Sequence, residues 1–289
     1  MATLREVRSR IGGVRKTQKI TRAMKMVAAA KLRRRQMAVL AARPYARKMR
    51  ELLSHLSSHA GNATDLMMVR EVKAVAVVVV TSDRGFCGAF NANVMKAAVA
   101  HVAAQGPGVS VGLFCIGKKG VDFFGKRKYT LAGRHTGVGA NLQFGGAQEI
   151  ARTIVDAFRH GEYDRVDVMY NEFKSIAQSR IVTEQFLPVP VAASPGKEAP
   201  AADYIFEPGE AEILVAMVPR HLNFFLWRVL LESAAAEEGA RMAAMENATE
   251  NAQEMISTLQ LQYNKARQAS ITKELLEIVS GAEALASAQ

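Results

Sequence analysis

Apolar residues recur at helical intervals at both ends of the chain and bunch into short unbroken runs in between. Leu4, Val7, Ile11 and Val14 step three and four residues at a time, Ile20, Met24 and Val27 resume the stripe, and Met49, Leu52 and Leu56 close it. Near the other end Met245, Ala248, Ala252, Met255 and Leu259 keep the same rhythm. That is a heptad seam, the pattern along which one helix wraps another. The stretch 209–289 is rich in Ala, Glu, Met, Leu and Gln, has no proline after Pro219 and only Gly239 as an interior glycine before Gly281. It predicts one very long helix. Such a helix cannot bury its stripe alone, so it needs a second long helix, a partner protein or both. Pro44 removes a backbone donor and should kink or end the first rod.

The middle of the chain has a different rhythm. Lys73 to Thr81 is a β-branched run without alternation, the signature of a strand buried on both faces of a parallel sheet. Helical spacing follows over Ala89 to Gln105, a second apolar strand over Val109 to Ile116, a short helix over Lys118 to Phe124 and a short strand over Tyr129 to Ala132. An amphipathic helix spans Ala147 to His160, and the last two strands are Arg165 to Phe173 and Arg180 to Leu187. Alternating strands and helices argue for an α/β fold. The last two strands leave no room for a connecting helix and should form an antiparallel hairpin. Prolines 188, 190, 195 and 200 then mark a loop ending near Pro208. The reading is therefore an N-terminal coiled-coil helix over 1–60, a small Rossmann-like α/β domain over 70–205 and a C-terminal coiled-coil helix over 209–289.

Charge sharpens this picture. The chain carries +11, but residues 1–50 hold sixteen Lys/Arg and a single Glu, a local +15 that leaves the remainder at −4. A rod so poor in acids implies an acidic partner, whether nucleic acid, anionic lipid or protein. Cys87 and Cys115 are the only cysteines among 289 residues, which fits a reducing compartment. No unbroken apolar run is long enough to cross a bilayer, so a soluble or peripheral protein is expected.

The candidate chemistry is thin. Gly85 and Gly88 follow a strand and precede a helix, but a dinucleotide fingerprint needs G-x-G-x-x-G and only G-x-x-G is present. The residues favour a structural turn. GVDFFGK at 120–126 matches a P-loop by letter, yet Arg127 stands where Ser or Thr would hold magnesium, and bulky Val121, Phe123 and Phe124 fill the loop. The six histidines fall in no metal spacing with cysteines or carboxylates. Cys87 reads as a small buried residue, since no histidine is close in sequence. No catalytic, cofactor or metal site is expected.

Three segments carry a resemblance. ITRAMKMVAAAKLRR at 20–34, TSDRGFCGAFN at 81–91 and ARQASITKELLEIVSGAEAL at 266–285, in that order and spacing, resemble the γ-subunit family of F-type ATP synthases. The resemblance covers essentially the whole chain. It implies that the terminal helices form a long antiparallel coiled coil inside a ring of three α and three β subunits, with the α/β domain at the foot beside the c-ring and the ε subunit. It implies a non-catalytic rotor that couples ion-driven rotation to ATP synthesis or hydrolysis in the ring. Residue by residue, it places Arg10, Met24, Lys25, Arg241, Gln268, Thr272 and Glu274 at contacts with the α and β subunits, and Tyr204 and Glu207 at the c-ring and ε. It further implies a bacterial chain at the cytoplasmic face of the plasma (inner) membrane, peripheral to the bilayer, with no regulatory cysteine pair. The rival reading, a basic coiled-coil nucleic-acid binder, shares the charge but lacks aromatic interleaving and any nucleic-acid motif.

Overall fold

The computed structural model describes residues 3–60, 64–175, 178–190, 207 and 209–286. Most of the proline-marked loop, and with it Tyr204, lies outside the described residues. A helix α1 (Leu4–Ala60) precedes strand β1 (Ala74–Val80), helix α2 (Phe90–Ala103), strand β2 (Ser110–Ile116), helix α3 (Lys118–Lys126) and strand β3 (Leu131–His135). Helix α4 (Phe144–Arg159), strands β4 (Arg165–Phe173) and β5 (Ser179–Leu187) and helix α5 (Glu210–Ala286) complete the chain. Residues 1–27 and 242–289 form one compact unit and residues 28–241 another.

In the first unit the two helices pair antiparallel through polar contacts in a fixed register. Gln18 Nε2 donates to Gln253 Oε1 at 2.8 Å, the Thr21 and Thr249 hydroxyls lie 2.7 Å apart, and Lys25 Nζ reaches Glu246 Oε1 at 2.5 Å. Each step up α1 is matched by a step down α5. Ala252 is buried between these contacts, and Val7, Ile11, Met245 and Ile256 are buried beyond them. The seam on α5 therefore runs one residue later than the expected Ala248 and Met255: it passes through Thr249 and Ile256, and Met255 is 53% exposed. On α1 the stripe holds as far as Val14, then continues through Gln18 and the buried Thr21. Ile20 and Val27 lie off it at 60% and 56% exposure. Hydrophobicity misleads here because the seam spends apolar area on polar layers. In coiled coils such layers fix register at some cost in stability.

The second unit is a five-stranded sheet in the order β3-β2-β1-β4-β5, with the first four strands parallel and β5 antiparallel to β4. β1 sits at the centre. Its even positions Ala76, Val78 and Val80 join a core with residues from α1, α4 and α5, among them Leu56, Ile154 and Leu226. Its odd positions Val75, Val77 and Val79 join a second core with Val94 and Ala98 of α2 and Phe124 of α3. Each fully buried valine contributes about 1.5–3 kcal/mol relative to exposure, which explains why a run without alternation is stable here. The third strand lies two to three residues later than expected, at Leu131–His135, and α4 starts at Phe144 rather than Ala147.

Neither proline ends its helix: Pro44 lies inside α1 and Pro219 inside α5. The carbonyls they orphan belong to Leu40 and Val215, both on exposed faces, where water can replace the lost bond. By composition α5 contains a stretch apolar enough to cross a membrane. Leu222, Leu226, Val229 and Leu230 in that region are instead buried in the sheet unit's core.

Two tests follow from this packing. Each threonine hydroxyl of the Thr21–Thr249 pair also lies near a carbonyl of its own helix, Gln18 and Met245 respectively. With one proton apiece, one hydroxyl donates across the seam while the other donates back. Thr21→Val and Thr249→Val should each destabilise the coiled coil, and the double variant should recover much of the loss. A coupling of about 0.5–1 kcal/mol is expected from a double-mutant cycle on urea unfolding. His221, edge-on to Phe225 with ring centroids 6.2 Å apart, has its imidazole held down to about 4 by burial, then by Arg50 and Arg228. The unfolded chain binds that proton from about pH 6.5 downward. Its contribution is therefore present above that pH and lost as pH falls toward 4. His221→Gln should flatten the acid limb of a stability–pH curve measured by urea titration.

Candidate partner-binding surface

Past the start of α1, the described residues give α5 no helix to pack against. Carried on from Gln18–Gln253, the pairing brings Leu4, the first residue of α1, opposite Arg267. From Ile271 to Ala282 every residue of α5 is exposed. Ile271, Leu275, Leu276, Ile278 and Val279 are among the large apolar side chains left open to solvent there. A contiguous apolar surface of this kind marks an interaction site. The expected contact residues Gln268, Thr272 and Glu274 lie on this stretch. Their hydrogen bonds are local: Thr272 donates to the Gln268 carbonyl at 3.0 Å, and Ser270 donates to Glu274 at 3.3 Å. Their outward faces remain available.

Arg10 is exposed on α1, and Met24 and Lys25 are half-buried. Lys25 is not a free cation, because Glu246 holds it across the seam. Exposed Ile20, Met26 and Val27 add a second apolar patch to the same stretch. Glu207 is exposed.

Arg241 departs furthest from a surface contact. It is 9% exposed in the sheet unit. Its guanidinium reaches Glu237 Oε1 at 2.6 Å and Glu238 Oε2 at 2.9 Å, and Nη2 donates to the Gly85 carbonyl at 3.4 Å. Burial pushes the Glu237 carboxyl up, and Arg241 pulls it back toward the charged form. The arginine thus ties α5 to the loop after β1. Glu237 and Glu238, like Glu246 and Gln253 on the seam, were missed in the sequence. Antiparallel register would have found the seam pair, since Lys25 and Glu246 match once Gln18 is set against Gln253.

The glycine-punctuated loop after β1 is held by its own side chains. Thr81 Oγ1 shares its one proton between the Ile116 and Gly117 carbonyls and accepts from Gly120 N–H at 2.9 Å. Gly117 has φ 100°, and a side chain there would run into the Thr81 carbonyl. Asn91 accepts from Ser82 N–H and donates to the Ser82 hydroxyl and Cys87 sulfur. Burial pushes the Cys87 thiol up, the opposite of what a nucleophile needs. GVDFFGK forms the body of helix α3 rather than a phosphate loop. Among the described residues no group of three His, Cys, Asp or Glu could hold a metal ion.

A family model described as ATP synthase matches residues 3–285. The chain is 50% identical to the ATP synthase gamma chain of Chlorobium phaeobacteroides over 99% of both chains, and 50% identical to that of Chlorobaculum parvum over the same shares. Its fold is similar to a chain in the Euglena gracilis mitochondrial ATP synthase rotor, with TM-score 0.67 and 21% identity over 93% of this chain and 98% of that one.

The buried arginine offers a direct stability test. Arg241→Met strips Glu237 and Glu238 of their nearest cation, leaving Lys31 at 3.9 Å from Glu238, and breaking such a cluster costs about 3–5 kcal/mol. The expected result is a matching loss in urea unfolding of the full chain, with Arg241→Lys recovering only part of it because lysine lacks the forked geometry.

Proposed function

The chain belongs to the ATP synthase gamma-chain family, and from that premise we infer how it works as the rotor of the central stalk. It is a non-catalytic subunit of a membrane-associated rotary ATPase, and the chemistry resides in the subunits around it. The observation that carries the reading is the bare end of α5, where a helix with large apolar side chains continues beyond its partner helix. Such an end is stable in water only if another protein encloses it. We propose that the enclosing surface is a ring of α and β subunits, that the basic face of α1 meets acidic loops of that ring, and that Glu207 and Tyr204 meet the c-ring and ε. The complex then sits at the cytoplasmic face of a bacterial inner membrane.

The physics of coupling follows from asymmetry. Two helices of unequal length offer a different set of side chains in each direction. A ring subunit facing Met24 and Lys25 meets other contacts than one facing Gln268, Thr272 and Glu274. Each orientation therefore biases its neighbours toward a different nucleotide affinity. Linkage makes the effect reciprocal: nucleotide binding in the ring biases the rotor angle by the same coupling free energy.

Met24→Lys tests the contact directly. A second cation beside Lys25 should lower ion pumping per ATP hydrolysed several-fold while the complex still assembles, measured in inverted membrane vesicles. An unchanged ratio of pumping to hydrolysis would count against a coupling contact at this position.

A further inference from the structure

The loops that follow β1, β2 and β3 meet at the carboxyl ends of the parallel strands, where sheets of this topology place a ligand. Here a side chain of the protein occupies that position. Asp83 Oδ1 accepts from the backbone N–H of Lys118 at 3.0 Å and of Gly137 at 2.9 Å. Lys118 is the first residue of α3, whose N-cap, Gly117, offers no side chain. The carboxylate thus caps a helix N-terminus from another loop, as a bound anion would.

The two outer loops it joins are each gripped by a long helix. Arg241 of α5 donates to the Gly85 carbonyl in the loop after β1 at 3.4 Å, and Arg35 of α1 donates to the Gly139 carbonyl in the loop after β3 at 2.7 Å. Arg241, the Gly85 loop, Asp83, the Gly137–Gly139 loop and Arg35 form a chain of polar contacts from one long helix to the other across the sheet. Removing the apolar core contacts would unfold the unit. Removing one polar tie leaves it folded but lets the loops shift against the helices.

Resting on the rotor reading, we propose that Asp83 is a positioning residue for coupling: it is the central link of the polar chain through which the sheet grips α1 and α5 and carries torque between them. It touches neither nucleotide nor ion and acts through the two loops.

The test uses the assembled complex in inverted membrane vesicles. Asp83→Ala should keep ATP hydrolysis near the wild-type rate while ion pumping per ATP falls by roughly threefold or more, the range expected for a mutation along a coupling network. Formate at tens of millimolar, a free carboxylate able to enter the vacated space, should restore much of the ratio. Asp83→Asn keeps the Oδ1 acceptor and should stay near wild type. In the full-length chain, hydrogen exchange at the Lys118 and Gly137 amides should accelerate roughly tenfold in Asp83→Ala and slow again with formate. An unchanged pumping ratio, unaccelerated amides, or a loss of hydrolysis and pumping together that formate does not reverse would each overturn the proposal. Wild-type vesicles separate the two readings: absence of this chain from any ATPase there would sink the rotor reading itself.

Discussion

The pairing of α1 with α5 is the interaction on which the rest depends. Neither helix has an apolar stripe that it can bury alone, and the two stripes come from opposite ends of the chain. Their union brings the two ends of the chain together and sets which of their residues face outward. Within the coiled-coil unit the pairing is fixed less by hydrophobic area than by three polar layers, Gln18–Gln253, Thr21–Thr249 and Lys25–Glu246. Greasy residues slide past one another at little cost, whereas polar layers left out of step bury unpaired groups. A rotor has to present the same side chain at the same height on every turn, and a register specified in this way meets that need.

The sheet was readable because its central strand is buried on both faces. The run from Val75 to Val80 had no solvent face to confuse its pattern, and β4 was located to the residue. The antiparallel closing strand followed from the shortness of its connection. Edge strand β3 was misplaced because its residues alternate between half-buried and exposed, leaving little apolar signal. The coiled coil was readable in kind and wrong in detail. Ile20, Val27 and Met255 look like seam residues, yet they face outward because another protein is their expected partner. Thr21 and Thr249 look like surface residues, yet they form a seam layer. A rule that sends apolar residues inward fails where a helix has two partners and only one belongs to its own chain.

The same division runs through the expected contact residues. Gln268, Thr272 and Glu274 fall within a quoted segment and lie on an open helix, whereas Arg241 falls outside the three segments and is buried in an ion cluster. Sequence alone does not separate a residue that touches a partner from one that shapes the surface a partner touches, since both look like isolated polar positions on a helix. In the loop after β1, Ser82 and Asp83 are absorbed in hydrogen bonds to Asn91 and to the backbone of neighbouring loops.

The central claim is that this chain turns inside a nucleotide-hydrolysing ring and has no chemistry of its own. The most direct measurement is to isolate the tagged chain from its own cell membranes and assay the eluate for Mg-ATP hydrolysis and for the sizes of the co-eluting chains. The account predicts two abundant larger partners in equal amounts, in excess over the tagged chain, with ATPase activity that follows them through purification. A lone chain, or one that brings down nucleic acid released by salt, would contradict it and make the basic rod a binding arm.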